Sequence, residues 1–497
     1  MVLTLLALVV GSWVRLHGLE QLYLTHWDEG PYVGWAMGVL PYTRGEPLAI
    51  YAPPLYPLLC RALFRVAGPD PTFALYASAS FGILCILLTG LLARRLFGGT
   101  AGGLAALCLA LDPLQVTYSR MALTETAFTA FLLLALLLFF LALEKGRTLT
   151  AILAGAATGL AGCSKYHGFL PLLAVGATLL IEPFACPAWR SGMTLTRLRS
   201  RIRTLLVAGF SALPLLLLLV WFIQEQMGLS RFLETRGTWV MGFRPWAIAA
   251  SLSGLAESVF RFGAPSLLLL APLGFLIAAW KRREAVLLLL VTVLILLLVL
   301  IWYRSYTRLY VPLAALLTPL AALALCRAAS WIHAARRRVA AAVLALLACA
   351  TAIPSLVSTV RFRSDSYPRM ARLLEAQVRR QPGAVILVAQ QALYPYLAQD
   401  VAAQTFSITE PEAVNRLESG DFTYILTDRR LERHDRVQPY LARYEDGLEP
   451  LLSLENRLRR EVLFDRLGPV EYGEARANPR APHLRAEFHL TLFRSNH

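Results

Sequence analysis

Apolar runs long enough to cross a bilayer recur along the first 360 residues and constrain the fold more than any other feature. By the criterion of roughly 17 to 25 apolar residues per span, we expect about eleven membrane-spanning segments. They lie near residues 1–16, 56–92, 101–118, 123–143, 149–164, 168–184, 204–224, 262–280, 284–303, 309–327 and 338–358. Within 56–92, the Gly-Pro-Asp-Pro turn at 68–71 predicts a surface-lying helix before it and a span after it.

Composition supports this membrane class. Hydrophobic residues make up 57% of the chain and charged residues only 16%, a balance too apolar for a soluble protein. We attribute the net charge of +16 to basic residues in cytoplasmic loops and near lipid headgroups, since no nucleic-acid motif is present. The seven cysteines all precede residue 350, in or beside apolar segments and without metal-ligand spacing. We interpret them as packing residues.

The character of the chain changes after about residue 360. Strand-like runs at 384–389, 422–427 and 487–493 alternate with helical runs such as 370–380. About 137 charged, cysteine-free residues suffice for an independent core. We therefore predict a transmembrane domain over 1–360, with a first outer loop of about 17–71, and a soluble α/β domain over 361–497.

Basic clusters fix the expected orientation. They occur in alternate loops, which by the positive-inside rule are cytoplasmic: 94–95, 145–147, 190–203, 281–283 and 336–338. The other loops are then extracytoplasmic. These include the first loop, the segment 224–261 and everything after the last span.

The first outer loop carries an acidic pair, Asp28 and Glu29, directly after the first apolar run. A carboxylate at the membrane surface stays ionised beside a low-dielectric site and is suited to act as a base. The prolines of the run 52–57 stiffen the loop. The alternative is a solvated helix edge, and the choice between Asp28 and Glu29 as base stays open.

The other ionisable residues of the membrane half map to outer helix ends, whereas the helix middles are nearly uncharged. They are Arg120, Glu125, Lys165, His167, Arg304 and Arg308. An enzyme acting on the headgroup of a membrane-anchored substrate needs charges at one face, whereas a transporter needs them near the midplane. The distribution favours the enzyme.

Lys165 is the most informative of these cations, because only three of the 48 basic residues are lysines. Its compact ammonium suits a phosphate, and Tyr166 and His167 follow it. A snorkelling interfacial lysine is the alternative. Arg120 and Glu125 are equally consistent with a structural ion pair, although the i,i+5 spacing is imperfect for one helix face.

Aromatic residues of the first loop, including Trp27, Tyr32 and Tyr56, suit stacking on a sugar or lining a lipid tail. An interfacial aromatic belt explains many of them equally well. His26 and Asp28 are weak candidates for metal ligands, since their spacing matches no strong metal motif. We expect no obligatory metal ion or other cofactor, and metal dependence stays open.

Five stretches together carry a family resemblance: HWDEGPYVGWAM, YAPPLYPLL, YSRMALTETAF, LAGCSKYHGFLPLL and YTRLYVPLAALL. The chain resembles the C-type membrane glycosyltransferases, in particular the protein O-mannosyltransferase and lipid A aminoarabinose transferase group. The similarity runs across roughly residues 10–360. Its most specific part is the acidic pair combined with the proline-aromatic run.

The resemblance implies a transferase that moves a sugar from a polyprenyl-phosphate donor to an extracytoplasmic acceptor hydroxyl, with inversion at the anomeric carbon. It implies a multi-pass protein of the bacterial cytoplasmic membrane. By motif position Asp28 corresponds to the family's base. Lys165, Arg120, Arg304 and Arg308 would hold the donor phosphate, and Glu125, His167 and Tyr166 would line the substrate pocket. The sugar, the acceptor, the oligomeric state and the role of the C-terminal domain stay open.

Two rival functions share many of these features. A lipid-linked sugar flippase or other transporter would have as many spans, but it predicts substrate movement without bond cleavage. A non-catalytic assembly protein would need no acid-base cluster.

Overall fold

The structure is a computed structural model. It describes residues 2–39, 47–185, 195–237, 245–280, 284–302, 306–330, 336–389, 391–408, 410–427, 447–455, 458–460, 462 and 489–495. Contacts divide the chain into two compact units. The membrane unit comprises Met1–His17, Ala52–Tyr56 and Tyr76–Arg361, and the C-terminal unit comprises Gly18–Tyr51, Pro57–Leu75 and Phe362–His497.

Helices dominate the described part of the chain, as the apolar runs predict. In chain order they are α1 (Val2–Leu16), α2 (Glu29–Met37), α3 (Leu55–Ala67), α4 (Thr72–Phe97), α5 (Gly99–Leu111), α6 (Pro113–Ser119), α7 (Glu125–Lys145), α8 (Thr148–Ser164), α9 (Leu170–Ala185), α10 (Leu195–Met227), α11 (Leu229–Gly237), α12 (Pro245–Phe262), α13 (Pro265–Trp280), α14 (Glu284–Trp302), α15 (Val311–Ala329), α16 (Arg337–Ala350), α17 (Ile353–Arg361), α18 (Ser366–Arg380), α19 (Gln399–Ala403) and α20 (Pro411–Ser419).

Among the described residues, five helical segments are long and apolar enough to cross a membrane. They are Val2–Gln21, Thr72–Phe97, Glu125–Lys145, Leu198–Met227 and Thr307–Ala329. Two bent helix pairs pass the same criterion when each pair is taken together, and shorter apolar helices lie within α8, α9, α13 and α14. The polytopic helical class is confirmed, and the count of about eleven spans stays a prediction.

Two predicted spans differ from the structure because each is broken. The predicted span 101–118 is the pair α5 and α6, bent by 61° at Asp112 and Pro113. The predicted span 338–358 is the pair α16 and α17, also bent by 61°, with Pro354 in the first turn of α17. A proline lacks the N–H that would continue the helical ladder and clashes with the preceding turn, so the helix axis changes direction there.

The break at Pro113 leaves a backbone carbonyl without its helical donor, and a buried arginine supplies one. The Leu109 carbonyl would accept the N–H of residue 113, which proline lacks. Arg15, fully buried in α1, donates to the carbonyl oxygens of Leu109 and Ala110 at 3.2 and 3.1 Å. It also donates to Ser119 Oγ on α6 at 3.2 Å. Arg15 thereby ties α1 to both halves of the broken helix.

The C-terminal unit contains a mixed five-stranded sheet. Its strands are β1 (Ile386–Val388), β2 (Thr405–Ser407), β3 (Tyr424–Thr427), β4 (Leu448–Glu455) and β5 (His489–Ser495), in the order β2-β1-β3-β5-β4. Strand β1 pairs in parallel with β2 and β3, and β5 pairs antiparallel with β3 and β4. The predicted strand-like runs near 384–389 and 422–427 contain β1 and β3, so the α/β character of the tail is confirmed. Residues 487 and 488 of the third run lie outside the described residues.

Most of the first outer loop, Gly18–Tyr51 and Pro57–Leu75, groups by contacts with the tail, whereas Ala52–Tyr56 groups with the membrane unit. The sequence-based boundary after residue 360 assigned this loop to the transmembrane domain. Leu22 forms a parallel bridge with Ser364, and Arg363 Nε donates to Gln21 Oε1 at 2.9 Å. The C-terminal unit is therefore assembled from two distant parts of the sequence.

Glycines allow the closest helix contacts of the membrane unit. A Cβ added to Gly274 of α13 would lie 1.9 Å from the Leu320 carbonyl oxygen of α15. One added to Gly155 of α8 would lie 2.1 Å from the Ala208 carbonyl oxygen of α10. Small residues at such crossings let the backbones of membrane helices approach.

We predict that Gly274→Ala lowers the melting temperature of the detergent-solubilised protein, because the new methyl group must push α13 away from α15. Overpacking of this kind costs roughly 1–3 kcal/mol. Gly209→Ala in α10 is the matched control, since nothing lies within 4 Å of its added Cβ. The melting temperatures of both variants are measured with a thiol-reactive dye that reports the exposure of buried cysteines such as Cys85 and Cys108. Equal melting temperatures would contradict the close contact.

Candidate functional site

The centre of the candidate site in the membrane unit is a buried carboxylate between two cations. Glu125 is 2% exposed, and its Oε1 forms an ion pair with the Lys165 ammonium. Arg308 Nε lies 3.9 Å from the same oxygen. Two cations thus approach one carboxylate in a poorly hydrated place, where electrostatic interactions are stronger than in water.

Each member of this cluster sits where a helix begins or ends. Glu125 is the first residue of α7, where the positive end of the helix dipole favours a carboxylate. Lys165 directly follows α8 with extended backbone angles, φ −152° and ψ 136°. Arg308 lies in the 3₁₀ turn Thr307–Tyr310 that precedes α15. Sequence analysis singled out all three, but only the fold brings them together.

The surroundings of these side chains bear on the alternatives that the sequence left open. The Lys165 side chain is 15% exposed and turns inward to Glu125, so it does not snorkel to the surface. Glu125 pairs with Lys165 and Arg308, which are distant in sequence, in place of the nearby Arg120. Its second oxygen, Oε2, has no hydrogen-bond partner within the described part of the chain.

His167 lies beside this cluster as a neutral group. Its ring meets the edge of Phe128 at 4.9 Å between centroids. Burial, followed by the positive charges of Lys165 and Arg236, lowers the pKa of His167 to about 3. The imidazole therefore carries no charge at neutral pH, and the positive charge of the site comes from the lysine and the arginines.

Arg236 of α11 is a further cation that sequence analysis missed. Its guanidinium lies over the rings of Tyr166 and Phe232, 4.7 and 5.5 Å from their centroids. Burial raises the pKa of the Tyr166 phenol above its usual value, so the hydroxyl stays neutral. Arg236 is one of many arginines in the loop regions, and no spacing in the sequence distinguishes it.

Two predicted site residues are engaged in supporting the fold. Arg120 is 1% exposed, and its Nη1 donates to the carbonyl oxygens of Val14, Arg15 and His17 at 2.9–3.0 Å. It thus satisfies the open C-terminal end of α1. Tyr56 is fully buried, and its hydroxyl is hydrogen-bonded to Ser78 Oγ at 2.7 Å. Arg304 lies outside the described residues.

In the C-terminal unit, the acidic pair has two different environments. Glu29 is fully buried, and its Oε2 accepts the backbone N–H groups of Thr25 and His26, both at 2.6 Å. Asp28 is 5% exposed, and its backbone N–H donates to His26 Nδ1 at 3.0 Å. Glu29 therefore holds the turn 25–29 closed.

The predicted aromatic residues of this loop pack around the turn. Trp27 is half-buried, and its ring lies 4.0 Å from that of His26. The Tyr32 hydroxyl donates to the Tyr51 carbonyl oxygen at 3.3 Å. These contacts connect α2 to the proline-aromatic run that follows.

Among the described residues, no three His, Cys, Asp or Glu side chains gather in a way that would hold a metal ion. His26, one of the two weak candidates, already accepts the Asp28 N–H with its Nδ1. The acceptor role fixes the neutral tautomer with its proton on Nε2.

A cavity of about 610 Å³ lies at the opposite end of α7 from Glu125. Its lining includes Lys145 together with the ion pair between Glu182 and Arg201. It contains none of the predicted site residues.

Comparison with known proteins gives one family match and several structural matches. Residues 51–222 match the family described as dolichyl-phosphate-mannose-protein mannosyltransferase. No curated protein sequence matches the chain. The matched segment contains Glu125 and Lys165, and it begins after Asp28.

Solved structures match over most of the chain. ArnT from Cupriavidus metallidurans bound to undecaprenyl phosphate has a TM-score of 0.63 at 14% identity, over 98% of this chain and 97% of that one. The Archaeoglobus fulgidus oligosaccharyltransferase in complex with Zn and sulfate has 0.59 at 15%, over 89% and 71%. The archaeal oligosaccharyltransferase AglB from the same organism, in complex with an inhibitory peptide and a dolichol-phosphate, has 0.58 at 13%, over 89% and 72%.

At these identities the structural matches show the fold, and the family match covers residues 51–222. Both agree with the resemblance carried by the five sequence stretches. The chain has the fold of ArnT and AglB, and its predicted resemblance to the C-type membrane glycosyltransferases of the mannosyltransferase and ArnT group is confirmed.

Proposed function

We propose that this protein is an inverting glycosyltransferase that moves a sugar from a polyprenyl-phosphate donor to an extracytoplasmic acceptor hydroxyl. The observation that carries the proposal is the pair of cations, Lys165 and Arg308, that meet at the buried Glu125. Such a cluster suits a phosphate that gains charge when it leaves the anomeric carbon. The matched structures of ArnT and AglB contain undecaprenyl phosphate and a dolichol-phosphate, which supports this donor class.

The proposed reaction is a single displacement at the anomeric carbon. Asp28 takes the proton of the acceptor hydroxyl as the hydroxyl oxygen attacks the anomeric carbon. The bond between that carbon and the donor phosphate breaks on the opposite side. Lys165 and Arg308 stabilise the departing polyprenyl phosphate, and Glu125 holds the Lys165 ammonium in place. One base and one leaving-group site suffice, because inversion needs no covalent intermediate.

The proposed orientation puts Asp28 and residues 361–497 outside the cytoplasm of a bacterial cell. It is supported by the basic clusters in alternate loops. We expect a phosphatase reporter that is active only outside the cytoplasm to be active when fused after Arg361. Activity of a cytoplasm-only reporter at the same position would reverse the orientation and the site assignment.

We predict that Asp28→Asn lowers turnover by roughly 10²- to 10⁴-fold, the usual contribution of a positioned base, while donor binding changes little. Glu29→Gln should cost less, because a neutral amide oxygen can still accept the N–H groups of Thr25 and His26. Turnover is followed as formation of labelled glycoside together with loss of the labelled lipid donor. Movement of the lipid-linked sugar without cleavage of the donor would instead support a transporter.

The same two variants also define the results that would contradict the assignment of Asp28 as the base. A collapse of turnover in Glu29→Gln with near-normal turnover in Asp28→Asn would transfer the role of base to Glu29. Near-normal turnover in both variants would remove this loop from the chemistry.

We predict that Lys165→Ala weakens binding of the polyprenyl-phosphate donor by about tenfold or more, as expected for loss of one charge-assisted hydrogen bond. Lys165→Arg should restore only part of the affinity, because the guanidinium is wider and planar. Lys145→Ala, at the exposed opposite end of α7, is the matched control. Binding is measured by titrating the purified variants with labelled donor.

Loss of Lys165 also leaves the buried Glu125 with less compensating charge, which by itself lowers stability. The double variant Lys165→Ala/Glu125→Gln separates the two effects. It should regain much of the lost melting temperature but not the donor affinity. Recovery of both properties would give Lys165 a structural role only.

A further inference from the structure

The 3₁₀ turn Gln391–Tyr396, in the C-terminal unit, lies directly against the helix that begins at the acidic pair. A Cβ added to Gly30 of α2 would lie 2.4 Å from the Ala392 backbone nitrogen and 2.5 Å from the Gln391 carbonyl carbon. Only a residue without a side chain permits this approach. The backbone of the turn therefore rests on the helix two residues beyond Asp28.

The side chain of Gln391 reaches the second half of the same loop. It is fully buried, and its Nε2 donates to the Tyr51 hydroxyl at 3.1 Å. Tyr51 in turn accepts the Tyr32 hydroxyl of α2 on its carbonyl oxygen at 3.3 Å. One glutamine thus contacts the loop on both sides, through its backbone at Gly30 and through its amide at Tyr51.

Gln391 is itself anchored to the sheet. Its Nε2 lies 3.5 Å from Ser407 Oγ at the end of β2. The Ser407 N–H donates to Glu410 Oε1 at 2.9 Å, and Tyr394 of the same turn donates to the Thr405 carbonyl oxygen at 3.1 Å. The turn is therefore fixed to the sheet at β2, and its contacts with the first outer loop restrict the motion of that loop.

The far end of the turn contacts the chain just before the acidic pair. The Tyr396 hydroxyl accepts the Leu24 backbone N–H at 2.9 Å. Leu24 immediately precedes Thr25, whose N–H is held by Glu29. The segment 24–30 is thus held on its N-terminal side by Tyr396 and on its C-terminal side by the Gln391 backbone.

We propose that Gln391 is a positioning residue for the Asp28 loop, so that residues from the C-terminal part of the chain orient the base of the transfer reaction. The proposal rests on the proposed function, in which Asp28 accepts the acceptor's proton. A catalytic group tolerates little misplacement, since an error of 1 Å can cost about 100-fold in rate. By holding the base in place, the C-terminal part of the chain contributes directly to turnover.

The test uses the full-length protein with variants that remove the hydrogen bond between Gln391 and Tyr51 and keep the packing. Gln391→Met retains the length of the side chain without its amide, and Tyr51→Phe removes the same bond from the other partner. Gln399→Ala, an exposed glutamine of the same unit, is the matched control. Two readouts are measured: steady-state kinetics with labelled donor, and hydrogen–deuterium exchange of peptides covering residues 22–37.

We expect both single variants to accelerate exchange in 22–37 by roughly two- to tenfold, the range for loss of one hydrogen bond, with peptides of the membrane unit unchanged. Turnover should fall by roughly 10-fold or more while the donor KM changes by less than about twofold, because the donor phosphate is held by other residues. The double variant should be no worse than Gln391→Met alone, since that variant already lacks the hydrogen bond that Tyr51→Phe removes. Gln399→Ala should match the wild type in both readouts.

Unchanged exchange in 22–37 would overturn the proposal, as would faster exchange spread evenly over the whole protein, which signals general destabilisation. Faster local exchange with unchanged turnover would also overturn it. The exchange measurement needs no reaction, so it separates this inference from the proposed function. If Asp28→Asn retains normal turnover, the assignment of the base fails, whatever the exchange data show.

Discussion

The need to satisfy backbone carbonyls at helix ends in a low-dielectric environment shapes the membrane unit. A carbonyl that loses its helical donor inside such a bundle costs free energy unless another donor replaces it. Arg15 supplies this donor where Pro113 interrupts the helix, and Arg120 supplies it at the end of α1. A guanidinium carries five N–H groups, so one side chain can satisfy several carbonyls. These two arginines join α1, α5 and α6 in one assembly.

Compensation of buried polar groups also shapes the candidate site. Glu125 is tolerated in its buried position because Lys165 and Arg308 approach it, and because it begins a helix. A buried ion pair adds little to stability, since desolvation offsets most of the attraction. Its value in the proposed function is to hold an ammonium and a guanidinium in fixed positions where an anionic phosphate can bind.

The acidic pair shows how two adjacent carboxylates take different roles. Glu29 accepts two backbone N–H groups and closes a turn. Asp28, next to it, donates its backbone N–H to His26 Nδ1. The C-terminal turn Gln391–Tyr396 lies against the same segment, so the loop is held from the tail of the chain as well as from its own prolines. The proposed role of the tail in positioning follows from this packing.

Apolar run length, proline positions and basic clusters are local properties, and the sequence alone therefore determined the membrane class, the α/β tail and the ends of most helices. It also singled out Asp28, Glu125, Lys165 and Arg308 as candidates for the site, because charges are rare in an apolar chain. It treated the runs 101–118 and 338–358 as continuous, since a proline-induced bend depends on whether neighbouring helices accommodate it. Only the tertiary structure decided that Glu125 pairs with Lys165 rather than Arg120, that Glu29 is a turn-holding residue, and that Gln391 meets the first loop. The Glu125–Lys165 and Gln391–Tyr51 contacts join residues 40 and 340 positions apart, and a side-chain partner at that separation is set by packing, which no local pattern encodes.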